Sequence, residues 1–514
     1  MFGGSSGKNA IAVGRDAISS YVDAAGDRAM SNTSQEFELT QMDYERFRDI
    51  ILERSGLYFP EEKRQILSRG LAEALQAFSS TSLSEYYDLL RRSPSTNREW
   101  DLLVSALTVG ETYFFRNKSH FDALAQHILP EIIARQELLN RRIRIWSAGC
   151  ATGEEPYSVA ILLYELIPNI HNWNILILAT DINRNALRKA QERVYGAWSF
   201  RGVEKRIQDH YFRTNGEKQY ALKDEIKRMV TFEYLNLVEN CYPSLANNTN
   251  GMDVIICRNV TIYFSPEVTR QVVTRFYNSL TDGGWLIPGA SEPNMVSYQD
   301  FEPRNFSGAV VYRKPTAIEA KAIPAPVARA SAPKPFPLAS QQVNNAPLPS
   351  PDPYQVALEL VQAGRMDEAL VKLYEKLDQD PDFVPTYYTL GKVHANKGNL
   401  EEAQTWCAKA IKKDKLHPQP YYTLSMVYQQ NDLPDMALDA LKTAIYLDRE
   451  FILAHYNLAQ LYRQQGMHRQ AHKSLQNVQR LLESKPRNEP IPEGDGLLAG
   501  RLLELVKMEL ASKE

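Results

Sequence analysis

Cysteine is scarce in this 514-residue sequence, and its distribution excludes a cysteine-held metal site. The four cysteines are scattered without metal-ligand spacing: Cys150, Cys241, Cys257 and Cys407. This usage is typical of a protein from a reducing compartment. We therefore predict that the protein holds no metal.

Long apolar runs and an excess of one charge are also missing. No apolar segment reaches the length of a transmembrane helix, and the amino terminus has no signal-peptide core. The formal net charge of −3 favours neither nucleic-acid binding nor binding to a membrane surface. We expect a cytoplasmic protein with no nucleic-acid partner and no direct membrane insertion.

The length predicts roughly two to four domains.

The rest of the chain is organised around residues 142–166, which read as a strand, a glycine loop and a helix. The loop contains Gly149 and Gly153, and Thr152 lies three residues before Glu155, which is the spacing of a helix capping box. A strand, a loop and a helix in this order open a doubly wound α/β fold. In such a fold the turn lets a ligand approach the backbone at the carboxyl end of the sheet.

The ligand of this loop is predicted to be a nucleoside without a pyrophosphate. The glycines are spaced G-x-x-x-G, which is not the dinucleotide fingerprint, and no Walker motif occurs. A second apolar strand ends in Thr180 and Asp181, where a ribose diol is usually held. This combination favours S-adenosylmethionine (SAM). Taken alone, the loop is also compatible with a solvated Asp181 and no ligand.

Polar residues recur at the ends of two further predicted strands. One strand ends before Asn236, and a nearly continuous apolar run ends before Arg258 and Asn259. Because the carboxyl ends of the strands form the ligand crevice in open α/β sheets, we expect these side chains to lie there together with Asp181.

The remaining predicted elements complete this sheet. Strands are expected at 285–288 and at 308–312, the second of them at the edge of the sheet. The polar stretch 214–230 is expected to form a hairpin on the rim.

Residues 37–107 are predicted to form small helices, because Ser/Thr-x-x-Asp/Glu capping signatures recur there. The signatures are Thr40 with Asp43, Ser82 with Glu85, and Thr96 with Glu99. Such a region can be a cap packed on the α/β domain or a surface that docks the substrate. The preceding residues 1–36, rich in Gly, Ser, Ala and Asp, are predicted to be a disordered leader.

The carboxy-terminal part contains a 34-residue repeat. Four alanines keep this period: Ala369, Ala403, Ala437 and Ala471. Turn residues keep it too: Gly364, Gly398, Asp432 and Gly466. The period is the tetratricopeptide (TPR) signature, in which pairs of antiparallel helices stack into a solenoid. We predict four repeats over 352–485, with a concave groove for a protein or peptide partner, and a tail, 486–514, with a capping helix.

A proline-rich segment separates the two parts. Ten of the chain's 28 prolines lie between Pro315 and Pro353. We predict a semi-stiff linker at 315–351 that buries no core. The enzyme and the repeats are therefore expected to fold as separate units.

Five sequence blocks together resemble the CheR family of chemoreceptor glutamate methyltransferases: TYFFRNKSHF, WSAGCATGEEPYS, ATDIN, FEYLNL and CRNVTIYF. The resemblance runs from Phe37 to Lys314 in the family's order. It implies a helical domain at 37–107 joined to a SAM-binding α/β domain at 108–314. The implied architecture is a Rossmann-like doubly wound sheet with a small β insertion, followed here by an all-α TPR solenoid.

The resemblance also implies the site residues. The implied SAM contacts are Gly110, Thr112, Arg116, Glu155, Asp181, Asn236, Leu237, Arg258 and Asn259. Two residues are implied to act in catalysis, Arg116 by steering the substrate anion and Tyr263 near the transferred methyl group. The family's receptor-docking helix is often dense in arginine. Its counterpart here, 60–78, carries only Lys63, Arg64 and Arg69.

The implied function is SAM-dependent protein-glutamate O-methylation of the cytoplasmic domain of chemoreceptors, for adaptation in chemotaxis-type signalling. The repeats would recruit a partner. Two alternatives stay open: an adaptor that binds SAM without transferring methyl, and a methyltransferase for a small molecule or another protein.

Overall fold

The computed structural model describes residues 39–78, 82–92, 98–216, 218–293, 296–316 and 352–511. The predicted leader, nearly all of the predicted linker and the capping signature at Thr96 lie outside these residues. Among the helices that are described, none combines the length and the apolar character needed to cross a membrane.

Four α-helices occur in the described part of the amino-terminal domain: α1 (Gln41–Ser55), α2 (Arg64–Phe78), α3 (Leu83–Arg92) and α4 (Arg98–Leu107). Two predicted caps are confirmed, because the Thr40 hydroxyl accepts from the Asp43 amide at 3.1 Å and the Ser82 hydroxyl from the Glu85 amide at 3.2 Å. The apolar faces of the helices meet in one core that includes Phe47, Leu67, Leu71 and Trp100.

The described residues of the α/β domain form ten strands: β1 (Arg142–Ala148), β2 (Asn174–Asp181), β3 (Val194–Gly196), β4 (Phe212–Thr214), β5 (Gln219–Leu222), β6 (Val230–Tyr234), β7 (Met252–Cys257), β8 (Leu280–Pro288), β9 (Glu302–Phe306) and β10 (Ala309–Arg313). Seven of them form a sheet in the order β6-β2-β1-β7-β8-β10-β9. The first five in this order run parallel, and β10 and β9 are antiparallel additions. The doubly wound class is confirmed.

Among the residues described in this domain, seven α-helices accompany the sheet: α5 (Lys118–Ala123), α6 (Leu129–Glu137), α7 (Glu154–Leu166), α8 (Arg184–Glu192), α9 (Lys205–Tyr211), α10 (Asp224–Lys227) and α11 (Pro266–Ser279). The middle of β1 and all of β7 are buried, as expected for parallel strands covered on both faces.

The structure corrects two predictions about the strands, one of them in part. The edge strand is β9, so β10 pairs on both of its sides. The five residues of β9 are exposed or half-buried, so they lack the apolar alternation by which a strand is predicted. The predicted rim hairpin corresponds to the antiparallel pair β4 and β5, but it begins at Phe212, and β3 joins it to give a three-stranded sheet in the order β3-β5-β4.

Nine helices form the described carboxy-terminal part: α12 (Pro353–Gln362), α13 (Met366–Gln379), α14 (Val384–Asn396), α15 (Leu400–Lys413), α16 (Pro418–Gln430), α17 (Pro434–Leu447), α18 (Ile452–Gln464), α19 (His468–Glu483) and α20 (Ala499–Ala511). The four periodic alanines are all buried. The four turn residues have φ between +56° and +81°, and Asp432 takes the place of glycine in the third repeat. Helix α20 packs Leu502 and Val506 into the same core as Leu475 of α19.

The repeats dock directly on the α/β domain, which the sequence did not predict. The loop 241–251 between β6 and β7, here called the docking loop, inserts against α14 and α16. The Leu245 amide donates to Asn396 Oδ1 at 2.9 Å, and Asn250 Oδ1 accepts from Gln430 Nε2 at 2.9 Å. Leu245 also packs in an apolar cluster with Ala395 and other repeat residues. Arg142 at the start of β1 and Asn174 at the start of β2 both donate to Gln430, so the array covers the amino ends of β1, β2 and β7.

The inner surface of the array, formed by the first helix of each repeat, is occupied by the chain itself. Lys392 of α14 forms ion pairs with Glu493 at 3.0 Å and Asp495 at 2.7 Å, both from the segment that leads to α20. On α18, Arg463 pairs with Glu509 of α20 at 3.0 Å. The predicted open groove is therefore filled at these positions by the docking loop and the tail.

Candidate active site

A cleft with about 690 Å³ of empty space, part of it open to solvent, lies at the carboxyl ends of β1, β2, β6 and β7. The strand order reverses between β1 and β7, so the cleft occupies the topological switch point of the sheet. Six of the predicted site residues line it: Gly110, Asp181, Asn236, Leu237, Asn259 and Tyr263. Thr112, Arg116, Glu155 and Arg258 are not among the lining residues.

The glycine loop after β1 forms a backbone cradle at this cleft. Gly149 has φ +82°, and a Cβ atom there would lie 2.3 Å from Val260 Cγ2. Gly153 has φ +90°, and its Cβ would lie 2.9 Å from the methyl group of Ala190. Both positions therefore require glycine. At Gly110 an added Cβ would meet nothing within 4 Å, so glycine there leaves open space.

The predicted capping box at the start of α7 is wrong. Gly153 is the N-cap residue, and the Thr152 hydroxyl donates to Glu154 Oε2 at 2.6 Å. Glu155 instead points inward, where its Oε2 accepts from Arg258 Nε at 2.7 Å and its Oε1 from the Ser147 hydroxyl at 2.7 Å.

Asp181 joins the two loops that border the cleft. Its Oδ2 accepts from the Ala151 amide at 2.8 Å and its Oδ1 from the Asn183 amide at 2.7 Å. Burial raises the pKa of Asp181, and the hydrogen bonds from these backbone amides oppose that rise. Each oxygen retains a lone pair for a further donor, so the carboxylate fits the hydroxyl groups of a ribose.

Arg258 and Glu155 form a buried ion pair beside the cleft, with side-chain exposures of 3% and 9%. Arg258 Nη1 also donates to the carbonyl oxygen of Arg116 at 2.6 Å, which fixes the backbone of the entry segment. Burial, with a contribution from Arg258, lowers the pKa of His120 to about 4, so this imidazole is neutral at neutral pH.

Arg116 lies beside the cleft wall. Its Nη1 donates to the Glu111 carbonyl oxygen at 2.5 Å, one residue from the cleft-lining Gly110. The residues on both sides of it, Phe115 and Asn117, have φ of +57° and +62°. Conformations of this kind in non-glycine residues concentrate at functional sites. Arg116 as a whole is half-buried, so part of this residue is in contact with solvent.

The amino-terminal domain forms one wall of the cleft. Ser55 and Leu57 line it, and the Tyr58 amide donates to the Tyr263 carbonyl oxygen at 2.8 Å. Asn236 Nδ2 donates to the Arg54 carbonyl oxygen at 2.7 Å, so this side chain joins the two domains. The interpretation as a cap is therefore supported.

The counterpart of the family's docking helix offers fewer free cations than its sequence suggests. On α2, Arg64 is held by Glu61, by Gln41 and by the carbonyl oxygen of Leu39.

Two residues that sequence reasoning missed organise the cleft. Asn183 is the N-cap of α8, and its Nδ2 donates to the Thr108 hydroxyl at 2.9 Å. An Asn directly before a helical stretch is a capping signal that could have identified it. Glu292 accepts from the amides of Asn259, Val260 and Thr261 at 2.8–2.9 Å. It follows β8, and no local pattern in the sequence indicates its role.

Comparison with known proteins assigns the fold to a family. The model described as "CheR methyltransferase, SAM binding domain" matches residues 110–307, and "CheR methyltransferase, all-alpha domain" matches residues 42–108. Chemotaxis protein methyltransferase 2 of Vibrio cholerae is 33% identical over 280 residues, which are 54% of this chain and 95% of the relative. Chemotaxis protein methyltransferase 1 of Pseudomonas aeruginosa is 32% identical over 53% of this chain and 97% of the relative.

This chain belongs to the CheR methyltransferase family. It is a SAM-dependent protein methyltransferase of the chemotaxis type, and SAM is its methyl donor. The cleft fits this cofactor, because the cradle at Gly149 admits a ligand close to the backbone and Asp181 offers acceptors for a ribose.

The repeats of this CheR methyltransferase are also assigned. Tetratricopeptide repeat models match residues 360–425 and 418–451. A solved thermophilic TPR protein from Thermus thermophilus is 19% identical over 31% of this chain and 81% of that chain, with a TM-score of 0.26.

The last helix of this CheR methyltransferase contacts the loop that follows β6. Arg501 of α20 pairs with Glu239 at 2.6 Å and donates to the Tyr234 carbonyl oxygen at 3.2 Å. We expect Arg501→Ala to lower the opening free energy of the amides at 235–239 by about 1 kcal/mol, measured by hydrogen exchange, because Glu239 is partly solvated.

The matched control is Arg487→Ala, which removes the ion pair with Glu504 near the same helix. Its effect on the amides at 235–239 should be negligible. Equal protection of these amides in the wild type and in Arg501→Ala would contradict the predicted coupling.

Proposed function

We propose that this chain methylates glutamate side chains on the cytoplasmic domain of chemoreceptors, in the cytoplasm, and forms methyl esters that adjust signalling. The observation that carries this proposal is a cleft with acceptors for a nucleoside beside an accessible cation, Arg116, in a chain 33% identical to a chemotaxis protein methyltransferase.

The chemistry requires little acid–base assistance. SAM, when bound, supplies a methyl group on a positively charged sulfur. A glutamate with its ordinary pKa of about 4.3 is already ionised at neutral pH, so no general base is required. The carboxylate oxygen forms the new bond to carbon as the carbon–sulfur bond breaks. The protein must align the reactants and exclude water.

The proposed roles follow from the positions of the residues. Asp181 would hold the ribose, and the loop at Leu235–Leu237 would contact the base. Arg116 would attract the glutamate carboxylate. Tyr263 lines the cleft on the turn after β7 and would hydrogen-bond near the reacting atoms. The pair of Glu155 and Arg258 would fix the entry segment, since both Glu155 oxygens already accept hydrogen bonds within the protein.

A methyl-transfer assay with the full chain tests this function. Label from methyl-tritiated SAM should enter receptor cytoplasmic fragments and leave as methanol in mild alkali, because methyl esters hydrolyse readily. A base-stable product would identify a different acceptor, and the absence of transfer to any receptor fragment would favour the adaptor hypothesis.

Variants at the methyl site should separate catalysis from folding. We expect Arg116→Ala and Tyr263→Phe each to lower kcat by about tenfold or more, equivalent to roughly 1.4 kcal/mol of transition-state stabilisation. The melting temperature should be nearly unchanged, because both residues lie on loops. Lys118→Ala, which removes an exposed cation on the same segment, is the matched control and should keep full turnover. Full turnover in both variants would refute their roles.

The repeats are proposed to recruit a protein partner. A tethered binding module raises the local concentration of its partner without changing the chemistry of the enzyme. A surface variant that blocks partner binding while the array stays docked should therefore lower methylation at limiting receptor and leave turnover at saturating receptor unchanged.

A further inference from the structure

The outer side of the array carries a cationic cleft between the third and fourth repeats. It encloses about 800 Å³ of largely open space between α17, α18 and α19. Lys442, Arg449 and Arg480 are exposed on its lining, and no acidic side chain of the described part of the chain lines it. Within the described residues, none of these three cations forms an ion pair.

The cleft has an apolar floor beneath its three cations. Leu458 is buried at its base, and Ile445 lies half-buried beside it. Tyr446 stands 79% exposed on the rim, one helical turn from Lys442 and on the same face of α17. Burial lowers the pKa of His455, so this residue contributes no charge at neutral pH.

The contrast with the inner surface indicates which side receives a partner. The inner cation Lys392 is already paired with Glu493 and Asp495 of the same chain. The outer cations have no such partner among the residues that the structure describes, although the chain as a whole has a net charge of −3. Unpaired exposed cations around an apolar floor are complementary to an anionic segment that carries an apolar side chain.

We propose that the cleft between α17 and α19 docks an acidic peptide segment of a partner protein, with an aliphatic or aromatic side chain on Leu458 and carboxylates on Lys442, Arg449 and Arg480. This inference rests on the recruitment role proposed above. It names the surface and the chemistry of the partner.

The test uses the full chain and a fluorescein-labelled dodecapeptide of alternating Glu and Leu with one Tyr. A second peptide, with Gln in place of Glu, is the matched probe. In anisotropy titrations we expect the Glu peptide to bind at least about tenfold more tightly than the Gln peptide. Lys442→Glu and Arg480→Glu should each weaken the binding of the Glu peptide by about tenfold or more.

Lys473→Glu, a charge reversal at an exposed position of α19 outside the cleft, is the control and should bind like the wild type. The proposal would be overturned if the two peptides bound equally well, or if the Glu peptide did not bind below about 1 mM. It would also be overturned if Lys473→Glu lost as much affinity for the Glu peptide as the cleft variants. Displacement of the peptide by inorganic polyphosphate at equal charge would assign the cleft to phosphoanions and overturn it as well.

The methylation of receptor fragments by the same variants is measured as well, so that the docking cleft and the proposed methyltransferase function are tested separately. Cleft variants that lose the peptide but retain turnover at saturating receptor support the docking surface. A wild-type chain that binds the peptide yet methylates no receptor defeats the proposed function alone.

Discussion

Arg258→Met should lower the free energy of unfolding of the α/β domain by roughly 3–5 kcal/mol, because it leaves the Glu155 carboxylate buried without a counter-charge. The pair has side-chain exposures of only 3% and 9%, so little water replaces the lost guanidinium. The substitution also removes the hydrogen bond to the Arg116 carbonyl oxygen. Hydrogen exchange at the amides of β1, which belong to the central sheet, measures this loss.

The double variant Glu155→Met/Arg258→Met isolates the cause. If the uncompensated charge dominates, the double variant should be more stable than Arg258→Met, because no charge remains to be buried. A control at the exposed pair of Lys118 and Asp122 should change stability by less than about 1 kcal/mol. An Arg258→Met variant with wild-type protection at β1 would contradict this explanation.

The sequence predicted those features that depend on neighbouring residues or on a regular repeat of residues. The 34-residue spacing identified turn positions that need a left-handed backbone, including Asp432, which has no glycine to mark it. The apolar runs in the sequence predicted where the strands end, and the carboxyl ends of these strands meet at one cleft. Asp181, Asn236 and Asn259 line that cleft because topology, and not local sequence, brings them together.

The features that the sequence did not predict depend on contacts between distant segments. Glu155 fits a capping box by spacing, but Arg258, 103 residues away, binds it instead. Glu292 acts through the amides of a turn that lies about 30 residues earlier in the chain. The docking of the repeats depends on Asn250 and Gln430, which lie 180 residues apart. The composition of the linker contains no information on such contacts. The expectation that the enzyme and the repeats are separate units therefore did not include their docking.

Asp181→Ala should weaken SAM binding by roughly 1–3 kcal/mol, which is about a 5- to 150-fold increase in Kd, because an acceptor is lost and its donors are left unpaired. The loss has two parts. The ribose would lose its acceptors, and the amides of Ala151 and Asn183 would lose theirs, which loosens the glycine loop. Calorimetric titration with SAM measures the change. Asp209→Ala, at an exposed acid on α9, is the control.

The pH dependence of binding tests whether the ionised carboxylate of Asp181 is required. Since burial raises the pKa of Asp181, the carboxylate should take up a proton at a higher pH than an ordinary aspartate. Protonation removes an acceptor, so the SAM affinity of the wild type should fall as the pH falls through that pKa. In Asp181→Asn the affinity should be lower at neutral pH and should lack this dependence, while Oδ1 still accepts from Asn183. Wild-type affinity in a folded Asp181→Ala variant, or an unchanged pH profile in Asp181→Asn, would show that the ribose is held elsewhere.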